Sequence, residues 1–278
     1  MLSYEDIVEL ANHRTVLDTY DRFLALRDPE YPDMNYIGLN FKDGEICSLK
    51  FYFAIQKRIN EEQVKGFLPH TKDFMHYYSL WEPSKVQTAE HTGCSFTVKF
   101  KGNKSPERGF HYRLKPTAEA YEMIGEPKTL PFHGTELGTR PGINYEYDAR
   151  GSSTRRRYYY LMKQDHKDYI AKRFGKPFAR ESRFCELTEF DDGCKVIIWN
   201  PYYTQHNLNR PNYFDAGARN VINRLYQDFG LINVTEGFYE NEDIISTYFF
   251  NTIGPKTGNV NEGDVNFHMD TLKLFLNE

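Results

Sequence analysis

No stretch of the chain approaches the ~18 consecutive apolar residues of a membrane-spanning helix, so no membrane partner is expected. The first residues interleave Glu5, Asp6, Glu9 and Arg14 with apolar positions, unlike the unbroken apolar run of a secretory signal. Cysteine is scarce. Cys47, Cys94, Cys185 and Cys194 are widely spread and form no C-x-x-C, so neither a disulfide framework nor a zinc site is expected. A reduced, cytoplasmic setting follows. Positive charge is not in excess either: the formal net charge of −4 speaks against a protein that holds nucleic acid by bulk charge. Tryptophan is nearly absent, with 2 residues against 21 Tyr and 21 Phe. Tyrosine in that number suggests surfaces that are apolar in body and polar at the tip. With 40% hydrophobic and 27% charged residues, the 278-residue chain reads as globular, and one domain spanning 1–278 is expected.

What is present is a repeat. Five times two short β-rich runs flank a turn signal, and stretches with helical spacing lie between them. The first hairpin is Tyr36–Phe41, the turn Lys42-Asp43-Gly44-Glu45, then Ile46–Phe53, and D-G between alternating hydrophobics is a strong hairpin signal. The others are Cys94–Phe100 with Phe110–Lys115, Ile143–Tyr147 with Arg155–Met162, Phe184–Phe190 with Cys194–Trp199, and Gly237–Tyr239 with Ile244–Asn251. Helical spacing is read over Ser3–Leu26, Glu61–Leu80, Pro116–Ile124, Asp165–Phe174, Ala216–Phe229 and Val265–Leu276. This order predicts an α+β fold in which ten antiparallel strands, from five repeated α-β-β units, lie under helices. Ten strands is also where open sheets tend to close, so a β-barrel with helices outside and a lumen inside is expected.

Successive strand residues point to opposite faces, so parity sorts each second strand. Ser48/Lys50/Tyr52 oppose Leu49/Phe51/Phe53, His111/Arg113/Lys115 oppose Phe110/Tyr112/Leu114, and Lys195/Ile197/Trp199 oppose Val196/Ile198. In the third hairpin Arg155/Arg157/Tyr159 oppose Arg156/Tyr158/Tyr160, and parity alone does not choose between them. The fifth sets Ser246/Tyr248/Phe250 against Thr247/Phe249/Asn251. A sheet with its polar face in water would account for the cations. It accounts less well for aromatics on the same face, at Lys50/Tyr52, Arg157/Tyr159 and Lys195/Trp199. Basic groups beside tyrosines suit an anion attached to something apolar, each charge-assisted contact contributing roughly 1.5–3 kcal/mol.

These residues resemble a known family, the aromatic prenyltransferases of the α-β-β-α (ABBA) type, whose fold is the prenyltransferase barrel. Asn40-Phe41, Gly44 and Leu49-Lys50-Phe51-Tyr52-Phe53 are similar to the first hairpin of the indole prenyltransferases. The resemblance implies that Lys50 binds the diphosphate of an allylic donor. Arg155-x-Arg157-x-Tyr159 is similar to the family's basic-x-basic-x-Tyr strand, which holds diphosphate and shields the allylic cation. Tyr248 resembles a shielding tyrosine of a late strand. The pattern departs from the family where Tyr36 takes the place of a proton-accepting Glu, and where His111-x-Arg113 replaces Lys-x-Tyr.

The resemblance implies transfer of a prenyl group, dimethylallyl or geranyl, from an allylic diphosphate to an aromatic small molecule or a modified peptide. Diphosphate ligands are expected at Lys50, Arg113, Arg155, Arg157 and Lys195, and cation shields at Tyr52, Tyr159, Trp199 and Tyr248. Proton acceptors are sought among Tyr36, His111, Glu146 and Glu186. No motif calls for a cofactor, and Mg²⁺ stays open as a companion of the diphosphate. A non-catalytic barrel carrying an amphipathic ligand is the alternative, and an RNA-binding sheet a third reading. Asp191-Asp192 sits in a hairpin turn that favours Asp in any case, and Gly254-Pro255-Lys256-Thr257-Gly258 lacks the spacing of a phosphate loop.

Overall fold

The structure is a computed structural model, and it describes residues 1–26, 35–55, 94–102, 104–113, 140–148, 151–161, 164–175, 182–190, 193, 195–201, 216–229, 231–239 and 244–251. The helical stretches read at Glu61–Leu80, Pro116–Ile124 and Val265–Leu276 lie outside the described residues.

The chain opens with α1 (Tyr4–Ala11) and α2 (Arg14–Leu26), where the spacing predicts a single helix from Ser3 to Leu26. Local side chains cause the break. Asn12 donates its amide to the Val8 carbonyl and caps α1, while His13 Nδ1 accepts the backbone N–H of Thr15 at the start of α2. Such side-chain bonds offer the backbone an alternative to a continued helix. At the other end of α1, Ser3 Oγ accepts from Asp6 N and Asp6 Oδ2 accepts from Ser3 N, a reciprocal cap.

Ten strands follow: β1 (Tyr36–Lys42), β2 (Glu45–Ile55), β3 (Cys94–Lys101), β4 (Pro106–Arg113), β5 (Arg140–Asp148), β6 (Gly151–Leu161), β7 (Ser182–Phe190), β8 (Lys195–Pro201), β9 (Leu231–Tyr239) and β10 (Ile244–Asn251). Between β6 and β7 lies α3 (Gln164–Phe174), and between β8 and β9 lies α4 (Ala216–Phe229). Each strand pairs antiparallel with its neighbours in sequence, and β1 also pairs with β10, which closes the sheet into a barrel. The β1–β2 turn has positive φ at both Asp43 (51°) and Gly44 (79°), as a two-residue hairpin turn requires. Strand β9 begins at Leu231, six residues before the run recognised by alternation.

Closure gives each strand one face toward the helices and one toward the barrel interior. Phe53 meets Tyr20 and Phe23 of α2 with ring centroids 6.1 Å apart in both cases, and His13 meets Phe100 edge-on at 5.3 Å. Ile37, Leu39, Phe51, Phe96, Val98 and Phe110 share that outer face and are buried. The apolar core is therefore a shell between strands and helices, and the residues of opposite parity form the inner wall.

Polar contacts pin α1 in place. Tyr4 donates to Asp228 of α4 and carries the Arg224 guanidinium over its ring at 3.6 Å, and Lys104 bridges to Asp6 and Glu9. Burial and the Asp228 carboxylate push the Tyr4 phenol pKa up, so it remains a donor. Lys104 and the Ser3 amide hold the Asp6 carboxyl below its ordinary value. A lowered folded-state pKa contributes stability that is complete above the unfolded value and is lost as pH falls through the folded one. Acid should therefore loosen α1, and Asp6→Asn should flatten the part of the stability–pH profile that Asp6 contributes; an acid-unfolding profile identical to wild type would mean that the Lys104–Asp6 pair does not hold α1. For the shell itself, Phe23 is 0% exposed. Phe23→Ala should cost about 3–5 kcal/mol in urea unfolding; a loss below about 1 kcal/mol would mean that α2 does not seal the barrel wall.

Candidate functional site

The inner wall can be traced by register from Lys50. On β2, Ser48, Lys50 and Tyr52 face inward, opposite Asn40, Gly38 and Tyr36 of β1. Lys50 is 7% exposed, its ammonium 4.9 Å from the centre of the Tyr52 ring. Tyr52 stacks on Tyr36, with centroids 4.1 Å apart and planes 16° from parallel. One cation and two tyrosines are thus built into a single surface, a juxtaposition in which the ring faces are attractive to positive charge.

From β2 the inner register passes to Ser95, Thr97, Lys99 and Lys101 of β3, then to Glu107, Gly109 and His111 of β4. Arg113 continues that face opposite Gly142 of β5, His111 lies opposite Asn144, and Glu146 stands between Gly109 and Ser153. On β6, Arg155, Arg157 and Tyr159 pair with Asn144, Gly142 and Arg140 of β5, so register settles the choice that parity left open. Tyr158, of the opposite parity, is 2% exposed in the outer shell. On β7 the inner positions are Glu186 and Thr188, opposite Tyr159 and Arg157.

Two groups on this stretch are locked together. Arg157 Nη1 lies 3.1 Å from Glu186 Oε1, which also accepts a 2.8 Å hydrogen bond from Thr188 Oγ1. Arg155 carries its guanidinium 4.7 Å from the centre of the Phe190 ring. Lys101 Nζ meets Glu107 Oε1 at 2.7 Å near the barrel rim.

The fourth hairpin corrects the expected site. Register pairs Glu186 with Ile198 and Thr188 with Val196, whereas Lys195 pairs with Glu189 and Trp199 with Cys185. Lys195 and Trp199 therefore belong to the outer face, with the buried Leu187 and Cys185. The cause is that both faces of β8 are largely apolar, so the assumption that the more polar face lines the interior misassigns it. Register also puts Trp199 opposite Phe238, and Ile198 opposite Tyr239. Tyr248 pairs with Gly38 and stands on the inner face.

Lys99 of β3 also takes an inner position, opposite Lys50, and the alternation of Ser95, Thr97 and Lys99 with Phe96, Val98 and Phe100 carries that face in the sequence itself.

The traced wall is polarised. Away from the Lys42–Glu45 turn, the described inner positions of β8, β9, β10 and β1 carry no Lys, Arg, Asp or Glu; they include Val196, Ile198, Tyr239, Tyr248, Gly38 and Tyr36. The inner positions of β2 to β7 carry Lys50, Lys99, Arg113, Arg155 and Arg157, with Glu107, Glu146 and Glu186 among them. In a ten-stranded ring these two arcs face each other across the interior. Such a wall can hold an anionic head on one side and an uncharged body on the other. Among the described residues no group of three His, Cys, Asp or Glu side chains is arranged to hold a metal ion, and no helix is long and apolar enough to cross a membrane.

The Arg157–Glu186 pair is buried, with side chains 13% and 8% exposed. Removing one member leaves the other charged and enclosed. Glu186→Ala should therefore destabilise the protein by about 3 kcal/mol in denaturant titration. The double replacement with Arg157→Ala should recover part of that loss; a double variant with fully additive losses would mean that the pair is not coupled.

No family model matches the chain, and no curated protein does. Solved structures of similar shape include 6-dimethylallyltryptophan synthase from Micromonospora olivasterospora in complex with DMASPP and Trp. It is 12% identical over 96% of this chain and 100% of that one, with a TM-score of 0.44. Another is NotF in complex with brevianamide F and DMSPP, 12% identical over 79% of this chain and 80% of that one, with a TM-score of 0.48.

Proposed function

We propose that this chain is a prenyltransferase whose 278 residues form one prenyltransferase-barrel domain. It takes an allylic diphosphate, dimethylallyl or geranyl, and transfers the prenyl group to an electron-rich acceptor, an aromatic small molecule or a modified peptide. The polarised inner wall carries this reading: a cationic arc from β2 to β6 faces an uncharged arc with tyrosines. The resemblance of the first and third hairpins to the aromatic prenyltransferases agrees with it.

In the reaction the donor's C–O bond breaks heterolytically, and the diphosphate leaves with the electron pair. Lys50, Arg113, Arg155 and Arg157 meet the charge that develops on it. Donors fixed on strands are already oriented when that charge appears, which lowers the barrier. The allylic cation is held against aromatic faces, among them Tyr52, Tyr159 and Tyr248, and kept from water. The acceptor's π electrons or lone pair then form the new bond, and its proton passes to a base or to the departing diphosphate.

Of the four proton-acceptor candidates, Glu186 already holds Arg157 and Thr188, which favours a structural duty. Tyr36 lies flat on Tyr52 and adds to the aromatic surface. Glu146 and His111 are the inner-wall groups left for the proton. Lys195 and Trp199 have no part in this mechanism, since register gives them the outer face.

Calorimetric titration with dimethylallyl and geranyl diphosphate, with and without Mg²⁺, against inorganic pyrophosphate, tests the donor site. Tighter binding of one allylic diphosphate than of pyrophosphate is expected, and it would name the chain length. No binding under any of these conditions would overturn the reading, and binding without diphosphate release in the presence of acceptors would make the barrel a carrier. Lys50→Ala should lower turnover at least roughly tenfold, in line with the loss of one preorganised donor; an unchanged rate would remove Lys50 from the site.

A further inference from the structure

Arg157 stands on the inner face of β6 between two neighbours of different kinds. Gly142 of β5 lies opposite it on one side and brings no side chain, and Thr188 of β7 lies opposite it on the other. An arginine side chain has many rotamers, and its planar fork meets an anion well only when it is already turned toward it. A carboxylate holds this one: Glu186 Oε1 lies 3.1 Å from Arg157 Nη1.

Glu186 is a long side chain as well, and its orientation needs a cause of its own. Thr188 supplies one from two residues along the same strand face. Its Oγ1 donates at 2.8 Å to the same Glu186 oxygen that meets Arg157, and both residues of β7 are buried. Branching at Cβ restricts the rotamers of a threonine, so its hydroxyl is the stiffest member of this chain of three. The hydroxyl is also neutral, so it sets a direction without altering the charge of the wall.

We infer that Thr188 is a positioning residue for the leaving group: through Glu186 it holds the Arg157 guanidinium in the orientation that the departing diphosphate requires. The inference rests on the proposed reaction and assigns to it a neutral residue outside the patterns shared with the aromatic prenyltransferases. As the donor's C–O bond breaks, the diphosphate takes the electron pair, and a guanidinium already turned toward it needs no reorganisation. Ground-state binding of the donor is spread over several cations. Loss of orientation at one of them therefore raises the barrier more than it weakens binding.

The test compares wild type, Thr188→Val and Thr188→Ser, with dimethylallyl diphosphate as donor and tryptophan or a tyrosyl peptide as acceptor. Valine suits a strand as well as threonine does and removes the hydroxyl, so the fold should hold. Thr188→Val should lower kcat about threefold to tenfold while donor KM changes less than about twofold, the split expected of an interaction that serves the transition state. Thr188→Ser keeps the hydroxyl and should recover most of the rate. An unchanged kcat in Thr188→Val, or a rise in donor KM alone, overturns the inference. So does a lower melting temperature with unchanged kinetics, the result of a merely structural bond. The side-chain nitrogen NMR signals of Arg157 give a readout without turnover. They should report slow guanidinium rotation in wild type and Thr188→Ser and faster rotation in Thr188→Val; equal rotation in all three overturns the positioning role. Slow rotation in a wild type that transfers no prenyl group to any acceptor overturns the prenyltransferase reading instead, and leaves the ordering of Arg157 by Thr188 standing.

Discussion

The pairing of β1 with β10 is the constraint on which the rest of the molecule depends. While the ladder is open, each strand has a dry face and a wet face, and a lysine on the wet face is ordinary. Once the ladder closes, the wet face becomes an interior, and everything on it must be satisfied within a confined space. The outer face then has to be the apolar one, because only there do α1, α2 and α4 supply a hydrophobic partner. Phe53 against Tyr20 and Phe23, and Phe100 against His13, are direct results of that inversion. A buried polar residue in a conventional core would weaken it, whereas Lys50, Ser48 and Thr97 are buried here on the face opposite to the core residues of their own strands.

Enclosed charge carries a desolvation cost that partners must offset. Within the wall Arg157 pairs with Glu186, supported by Thr188, and Lys101 with Glu107. Aromatic faces take part as well, Tyr52 beneath Lys50 and Phe190 beneath Arg155. These arrangements fix where the cations stand. Among the described inner positions, the lysines and arginines outnumber the carboxylates.

Much of this was legible in the residues. Asp43-Gly44 between alternating hydrophobics marked the first hairpin, and the structure gives both turn residues positive φ. The α4 limits, Ala216 and Phe229, follow from spacing alone. The apolar alternation of Leu49, Phe51 and Phe53 assigned β2 to its correct face because one parity is wholly aromatic or aliphatic and the other holds a lysine. Where that contrast fails, sequence fails with it. In β8 both parities are largely apolar, and only hydrogen-bond register to Glu186 and Thr188 shows which is inward. In β6 both parities carry arginine and tyrosine, and again register decides. The break between α1 and α2 depends on His13 capping through its ring, a use of histidine that hydrophobic spacing does not report. The start of β9 was missed because Leu231–Glu236 carries no turn signal before Gly237 and follows a helix directly.

The division of the wall into two arcs also answers a difficulty inherent in the proposed chemistry. A carbocation is repelled by the lysines and arginines that help to form it, so a barrel lined uniformly with cations would oppose the very intermediate it creates. Uncharged, partly aromatic positions on β8 to β1 leave one side of the barrel without cations, while Tyr52 on β2 and Tyr159 on β6 set aromatic positions among the cations themselves. Flexible side chains in an open cleft could not maintain that separation, since the cations would follow the leaving group wherever it moved. Strands closed into a ring can, because each residue's wall position is fixed by two neighbouring ladders, and the ladder that joins β1 to β10 holds the uncharged arc opposite the charged one.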